Sequence, residues 1–290
     1  CVVVSNATAG LHLAVAALNL PLGSEGITSP NTFVSSANCM VYNRLIPRFA
    51  DINPNTFNID PLEIEKQIDE RTRLLIPVHF AGRACNMQKI RMIADEKHLK
   101  IIEDAAHAIG SKYKGGSKVG SCIYSDMTVF SFHPVKTMTT GEGGAVTTNN
   151  RGLYERLLLL RNHGITKDPE KLEKNPGPWY YEMQYLGFNY RMNDMQAALG
   201  RNQLKKVERF AKRRMELVRR YNEAFADISW ITTPENSQDD QTCFHLYVLR
   251  IEWDQIGKSR PKVMNELRTI GIGTQVLYIP VHTQPFYLEH

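Results

Sequence analysis

Two hundred and ninety residues, 42% hydrophobic and 22% charged with a mean hydropathy of −0.33, make a globular chain long enough for one large domain and part of a second. The abundance of Leu, Ile, Val and Phe excludes disorder, and no apolar run reaches the roughly 18–20 residues of a bilayer span; the richest, 11–22, is broken by His12, Asn19 and Pro21. The net charge of +5 sits almost wholly in one window, 201–220, where nine basic residues accompany only Glu208 and Glu216. Val207, Phe210, Leu217, Tyr221 and Phe225 recur there at helical spacing. The reading is therefore an amphipathic helix with a solvated basic face, and no nucleic-acid partner is expected.

In chain order, 2–5 reads as a short strand and 8–20 as a helix with Leu11, Ala14, Val15 and Leu18 on one face. Asp60-Pro61-Leu62-Glu63 is a helix start, with an Asp N-cap, Pro in the first position and Glu three residues past the cap. Residues 74–80 form a strand, Met87, Ile90, Ile93 and Ala94 mark a helix, and 99–102 form the next strand. That is a βαβ unit with parallel strands. Strands at 127–132 and 145–148 extend the pattern to an α/β domain on a mostly parallel sheet. From Asn193 one long helix leads to a strand at 244–251, a helix at 261–269 and a strand at 274–279, the start of a smaller α+β domain. The chain opens at Cys1 in an apolar run and stops at His290 in an aromatic, proline-containing segment, so the expectation is a piece of a longer protein. Five scattered cysteines without CxxC spacing and nine histidines without HExxH spacing give no disulfide framework and no structural metal. With no signal-peptide pattern, the expected compartment is the cytoplasm.

In open α/β sheets ligands bind beyond the carboxyl ends of the strands, and four segments fall there. Ser5-Asn6-Ala7-Thr8-Ala9-Gly10 joins a strand to a helix; its small residues let backbone N–H groups reach an anion, although such turns also serve tight packing alone. Ile101-Ile102-Glu103-Asp104-Ala105-Ala106-His107 ends an apolar strand with two carboxylates, and a carboxylate held away from water wants a cation or an N–H partner. The alternative for Asp104 is a helix N-cap. Phe130-Ser131-Phe132-His133-Pro134-Val135-Lys136 leads into Thr139-Thr140-Gly141-Glu142-Gly143-Gly144. A lysine between an apolar strand and a glycine-rich turn can be desolvated into an amine nucleophile, or can be a plain surface charge. Leu186-Gly187-Phe188-Asn189-Tyr190-Arg191-Met192-Asn193 closes an aromatic stretch that begins at Trp179, and its alternative is a packed loop in which Asn193 or Asp194 caps the next helix. Taken together these are the parts that pyridoxal 5'-phosphate (PLP) requires. A lysine bonds to its aldehyde, a carboxylate keeps the pyridine nitrogen protonated, N–H and hydroxyl donors fix the phosphate, and an aromatic such as Phe33 stacks on the ring.

Nearly end to end, the sequence resembles the DegT-type family of PLP-dependent sugar aminotransferases, which have the aspartate-aminotransferase (type I) fold. The likeness takes in the four segments together with Thr28-Ser29-Pro30-Asn31-Thr32-Phe33, Ala50-Asp51-Ile52-Asn53-Pro54, Ile76-Pro77-Val78-His79-Phe80-Ala81-Gly82, Leu160-Arg161-Asn162-His163-Gly164 and Tyr278-Ile279-Pro280-Val281-His282. The resemblance implies that Lys136 bonds to the cofactor and later moves the proton between substrate carbon and cofactor, and that Asp104 pairs with the pyridinium nitrogen. Thr8, Ala9 and Ser131 would hold the phosphate, Phe33 would stack on the ring, and His107 would stand near the ring hydroxyl where many relatives have Gln. His163 and His282 would bind substrate. Asn189 of the Gly-Phe-Asn-Tyr-Arg motif would reach the phosphate of a partner subunit, which implies a homodimer. Residues 1–200 would be the PLP-binding large domain, lacking its N-terminal part, and 201–290 the linking helix and part of the small domain. Ser131 to Lys136 with Thr139 to Gly144 is similar to a bacterial subgroup in the pseudaminic acid pathway. That subgroup moves an amino group from glutamate to C4 of a UDP-linked 4-keto-6-deoxy-N-acetylhexosamine, giving UDP-4-amino-4,6-dideoxy-N-acetyl-β-L-altrosamine. Rival readings are perosamine-type or 4-amino-arabinose transaminases, and a non-enzymatic regulator that kept the fold. The regulator predicts decay of the site, yet Lys136, Asp104 and Ser131 are all present. Related sugar dehydratases carry His in place of Lys136.

Overall fold

A computed structural model describes residues 1–234 and 241–289. β1 (Val2–Val4) runs into α1 (Ala7–Leu18), whose N-cap Asn6 accepts the Ala9 N–H at 2.8 Å. β2 (Glu25–Thr28), α2 (Ser35–Tyr42) and β3 (Ile46–Phe49) follow. α3 (Pro61–Gln67) begins as its sequence dictates, with Asp60 accepting the Leu62 N–H and Pro61 filling the first turn. β4 (Thr72–Ile76), α4 (Met87–Glu96) and β5 (Lys100–Asp104) form the expected βαβ unit, with β4 and β5 parallel. β6 (Met127–Ser131), β7 (Gly144–Thr147) and α5 (Arg151–Arg161) complete this part.

The seven strands lie in the order β1-β7-β6-β5-β4-β2-β3. β7 runs against both of its neighbours, and the remaining pairings are parallel. Because side chains alternate across a strand, the sheet feeds two cores. Leu75, Ile101 and Phe130 face one, with α4; Leu74, Ile76, Ile102 and Val129 face the other, with α1 and α5. α1 lies close on the sheet because residue 10 is glycine: a Cβ there would stand 2.9 Å from Val129 Cγ1. The carboxyl ends of β5 and β6 and the loops after β1, β2 and β4 therefore open at one edge, where the cavity described below lies.

Beyond α5, β8 (Ile165–Thr166) pairs with β9 (Glu182–Met183). The expected single long helix is two, α6 (Asp194–Leu204) and α7 (Val207–Phe225). Lys205 and Lys206 form a turn between them that lets Val207 bury in the main core against Gly110. Asn193 caps α6 in a capping box with Gln196, as the packed-loop alternative held. Most of the basic face of α7 is solvated, while Tyr221 stacks on Phe225 and Tyr247 at 6.0 and 5.0 Å. Arg214 departs from that face by bonding to backbone carbonyls.

The strand expected at 244–251 is reduced to β11 (Arg250–Ile251), which pairs with β10 (Ile231–Thr232). The rest of that segment spends its backbone groups elsewhere: Arg214 occupies the Phe244 and His245 carbonyls, the Leu246 N–H bonds to Ala81, and Phe244 has φ +45°. Residues 274–279, also expected as a strand, are irregular; Tyr278 N–H bonds to the Asn31 side chain instead of to a strand. α8 (Trp253–Ile256), α9 (Arg260–Thr269), which matches its expected position, and α10 (Pro285–Glu289) complete the elements. Among the described residues no helix is long and apolar enough to cross a membrane, and no His/Cys/Asp/Glu group could hold a metal ion.

Candidate active site

A cavity of about 760 Å³ opens at the carboxyl edge of the sheet, lined among others by Thr8, Ala9, Phe33, Asp104, His107, Ser131 and Lys136. Seven residues from four separate stretches of sequence thus meet at one place. Asp104 is the last residue of β5 and is 5% exposed. Its Oδ2 accepts the Ser36 hydroxyl at 2.6 Å, and Ser36 in turn contacts the Thr32 hydroxyl at 2.7 Å. Its Oδ1 accepts the Ala106 N–H at 3.1 Å, which is a local turn and not a helix cap. Lys136 lies half-buried in the turn after β6, the strand paired with β5. Burial lowers the pKa of its amine from the ordinary lysine value, and the charge of Asp104 partly opposes that shift. An amine more easily freed of its proton is what nucleophilic attack on an aldehyde needs.

At the other side of the cavity the Thr8 and Ser35 hydroxyls lie 2.7 Å apart. Ala7 and Thr8, in the first turn of α1, present N–H groups that have no acceptor within the helix. The Ala9 N–H is taken by the Asn6 cap, so its amide is already engaged. Ser131 is buried, and its Oγ accepts the His133 N–H at 3.4 Å. Hydroxyls and helix-terminal N–H groups together make an anion cradle. Phe33 is 57% exposed and lines the cavity with its ring open to a ligand. His107 is buried, its Nε2 is 3.1 Å from the Tyr278 hydroxyl, and its Nδ1 has no partner among the described residues. Burial first, then the charges of Lys136 and His245, hold it well below the ordinary histidine value, so it is neutral.

Three other residues singled out from the sequence lie outside the cavity lining. His163 is exposed, with its N–H bonded to the Phe188 carbonyl at 2.9 Å. His282 is exposed beside Phe49, ring centroids 6.0 Å apart. Asn189 is exposed and bridges Asn162 through its backbone, although the next residue, Tyr190, does line the cavity. Sequence reasoning assigned no role to Thr32, Ser35 and Ser36, all within three residues of Phe33, or to Tyr278, which lies four residues before His282. A hydroxyl-rich run after a strand was the available signal for the first three. His12 and His245 carried no local signal.

An open α/β sheet whose neighbouring strand ends offer an amine and a carboxylate to an anion cradle has the plan of a type I PLP enzyme. The chain belongs to the DegT/DnrJ/EryC1/StrS aminotransferase family, which matches it over residues 1–290. It is 45% identical to the uncharacterized protein MJ1066 of Methanocaldococcus jannaschii, covering 98% of this chain and 72% of that one. With the spore coat polysaccharide biosynthesis protein SpsC of Bacillus subtilis it shares 41% identity, over 99% of this chain and 73% of the relative. Among solved structures it superposes with a TM-score of 0.90 on Helicobacter pylori PseC, an aminotransferase involved in the biosynthesis of pseudoaminic acid. Identity to PseC is 32%, and the match covers 99% of this chain and 74% of that one. By family it is a PLP-dependent sugar aminotransferase. The residues present fit PLP: a desolvated amine, a carboxylate braced by a hydroxyl, an anion cradle and a buried imidazole nitrogen without a partner among the described residues all border one cavity.

Proposed function

We propose that the protein transfers an amino group from glutamate to C4 of a UDP-linked 4-keto-6-deoxy-N-acetylhexosamine, the sugar carried toward pseudaminic acid. The observation that carries the aminotransferase chemistry is the convergence of Lys136 and Asp104 on one cavity from neighbouring strand ends. PLP, when bound, supplies the electron sink that lets an amino group leave one carbon and arrive at another. Lys136 would hold PLP through Nζ and would be the group placed to move a proton at the substrate carbon. Asp104, oriented by Ser36 and the Ala106 N–H, holds a proton on the pyridine nitrogen. Thr8 and Ser131 bind the phosphate, Ala9, its N–H held by Asn6, shapes the cradle wall beside them, Ser35 adds a hydroxyl beside Thr8, Phe33 stacks on the ring, and His107 hydrogen-bonds at the ring hydroxyl. His163 and His282 act on substrate from the periphery. Residues 1–200 serve as the cofactor-binding domain and 201–290 as the linking helices and part of the small domain.

A homodimer completes this reading, with Asn189 reaching the phosphate site of the neighbour. Support comes from exposed apolar side chains in the stretch of chain that carries it, Trp179 at 71%, Leu186 at 81% and Met195 at 80%, which water alone would not favour. The cytoplasm, where UDP-sugars and free glutamate occur together, is the compartment that suits the chemistry. A second reading, amination of another keto sugar destined for a surface polysaccharide, is favoured by the higher identity to SpsC than to PseC.

Loading the protein with PLP should produce a visible absorbance band that borohydride abolishes and that Lys136→Ala lacks. A protein that takes up no PLP would overturn the enzyme reading. Incubating glutamate with a panel of UDP- and dTDP-4-keto sugars, with product stereochemistry read by NMR, decides the substrate. The UDP-4-keto-6-deoxy-N-acetylhexosamine should be turned over at least about tenfold faster than the others, a preference of about 1.4 kcal/mol. Equal rates across the panel, or preference for a different sugar, overturn that choice.

A further inference from the structure

Two segments distant in sequence enclose His107. On one side lies 243–246: Cys243 Sγ donates to the His107 carbonyl at 3.1 Å, Cys243 N–H to Ser111 Oγ at 3.0 Å, and Leu246 N–H to the Ala81 carbonyl at 3.3 Å. From α7, Arg214 Nη1 donates to the carbonyls of Phe244 and His245, each at 3.1 Å. Gly82, at φ +95°, permits this approach, since a Cβ there would stand 2.8 Å from Cys243 Sγ and 3.1 Å from His245 N. The segment delivers the His245 ring to 4.4 Å from the His107 ring, centroid to centroid, with an interplanar angle of 42°. On the other side is Tyr278, held by its N–H bond to Asn31 Oδ1 at 3.3 Å and by ring contacts to Phe33 and Phe80. Its hydroxyl meets His107 Nε2, and its ring lies 17° from parallel with that of His107.

Both imidazoles are buried, and among the described residues neither Nδ1 has a hydrogen-bond partner. Such atoms are costly to bury, and here one imidazole lines the cavity while the other packs directly against it, so they serve something other than stability. The groups facing His107 are Asp104 from β5, Lys136 from the turn after β6, Cys243 and His245 from one segment and Tyr278 from the other, with Arg214 behind His245. Burial and the charge of Lys136 keep both histidines neutral, His245 being lowered to about 3, while burial and Asp104 keep the Tyr278 phenol protonated. A neutral imidazole and an intact phenol share one proton position between Nε2 and Oη. If Oη donates, the imidazole proton sits on Nδ1; if Nε2 donates, the phenol proton is free for the cavity that Tyr278 lines. The tautomer of His107 and the direction of the Tyr278 hydroxyl are thus one variable, and the His245 ring, packed at a tilt against His107, stops it from turning.

We propose that His245 and Tyr278 are positioning residues that lock the ring plane and tautomer of His107, the imidazole of the pair that lines the cofactor cavity. The proposal rests on the PLP reading above. Its test follows the visible absorbance of the PLP-loaded protein against pH in the wild type and in Tyr278→Phe, His245→Phe and His245→Gln. Each variant is also made together with His107→Phe. Locking predicts that the single variants move the titration midpoint by about half a pH unit or more, and that these shifts vanish without His107 because they act through its ring. Unchanged midpoints, or shifts of equal size in the His107→Phe background, overturn the proposal. His245→Gln, smaller and polar, serves where the phenylalanine disturbs folding. A wild-type protein that takes up no PLP overturns the reading of the site itself, and the proposal with it; a normal wild-type band with unmoved variants overturns the proposal alone.

Discussion

Glu103 and Asp104 are consecutive carboxylates on one strand, both buried, and they lead opposite lives. The pleat sends them to opposite faces of the sheet. Glu103 enters a closed nest, where its oxygens meet His79 Nε2 at 2.7 Å, the Tyr113 hydroxyl at 2.8 Å, Thr128 Oγ1 at 2.9 Å and the Ser125 hydroxyl. His79 Nδ1 accepts the Cys85 N–H, so the proton it gives Glu103 is on Nε2. Burial alone would raise the Glu103 carboxyl, but these donors pull it below the usual carboxylate range. Asp104 has one hydroxyl and one backbone N–H, and it borders the cavity. A carboxylate whose lone pairs are all spoken for is structural; one left partly unpaired beside a cavity is available to a ligand.

Exchanging each acid for its amide tests this division. Asp104→Asn should lower turnover by about a thousandfold, within the range of a lost proton-holding group, while the melting temperature changes little. Steady-state rates and a thermal melt check it, and near-normal turnover would erase the distinction. Glu103→Gln should do the reverse. Removing one partner of a buried charged network costs about 3 kcal/mol in denaturant unfolding, with turnover per folded molecule within about threefold of wild type. The third test concerns the Asp104 side, through His245. Its unfolded form titrates near the ordinary value of about 6.5 and its folded form at about 3, so between these pH values the unfolded chain binds the extra proton. Stability is full above that window and falls by up to about 1.4 kcal/mol per unit as pH drops through it. His245→Phe should flatten this loss in unfolding curves taken across the same range. The smallest effect belongs to Ser36→Ala, which removes one hydrogen bond to Asp104 and should slow turnover about tenfold. A change as large as that of Asp104→Asn would mean that Ser36 itself touches the ligand.

What the sequence made legible follows the same logic. Strand–helix alternation, the Asp60-Pro61 start and the strand-end position of Asp104 are local patterns, and they held because local rules set them. Phe244 to Ile251 alternates like a strand, yet its Leu246 N–H bonds to Ala81, Tyr247 packs on Tyr221 of α7, and the Phe244 carbonyl answers Arg214, a contact across 30 residues. The approach of His245 to His107 depends on Gly82 and on the course of α7, which no window of sequence contains. Ser36 and Thr32 were within reach of a local reading, since they surround Phe33. Their value appears only when α2 is set against the end of β5.

Cys243 gives the wedge behind His107 a clock. Its thiol is fully buried, bonded to the His107 carbonyl and raised by burial, so a thiol reagent reaches it only when 243–246 lifts away. The rate at which that one sulfur is labelled, resolved by mass spectrometry from exposed Cys1 and from buried Cys39, Cys85 and Cys122, measures how often the segment behind His107 lifts under native conditions. A ligand that steadies His107 should slow that rate and leave those of the other three buried thiols unchanged.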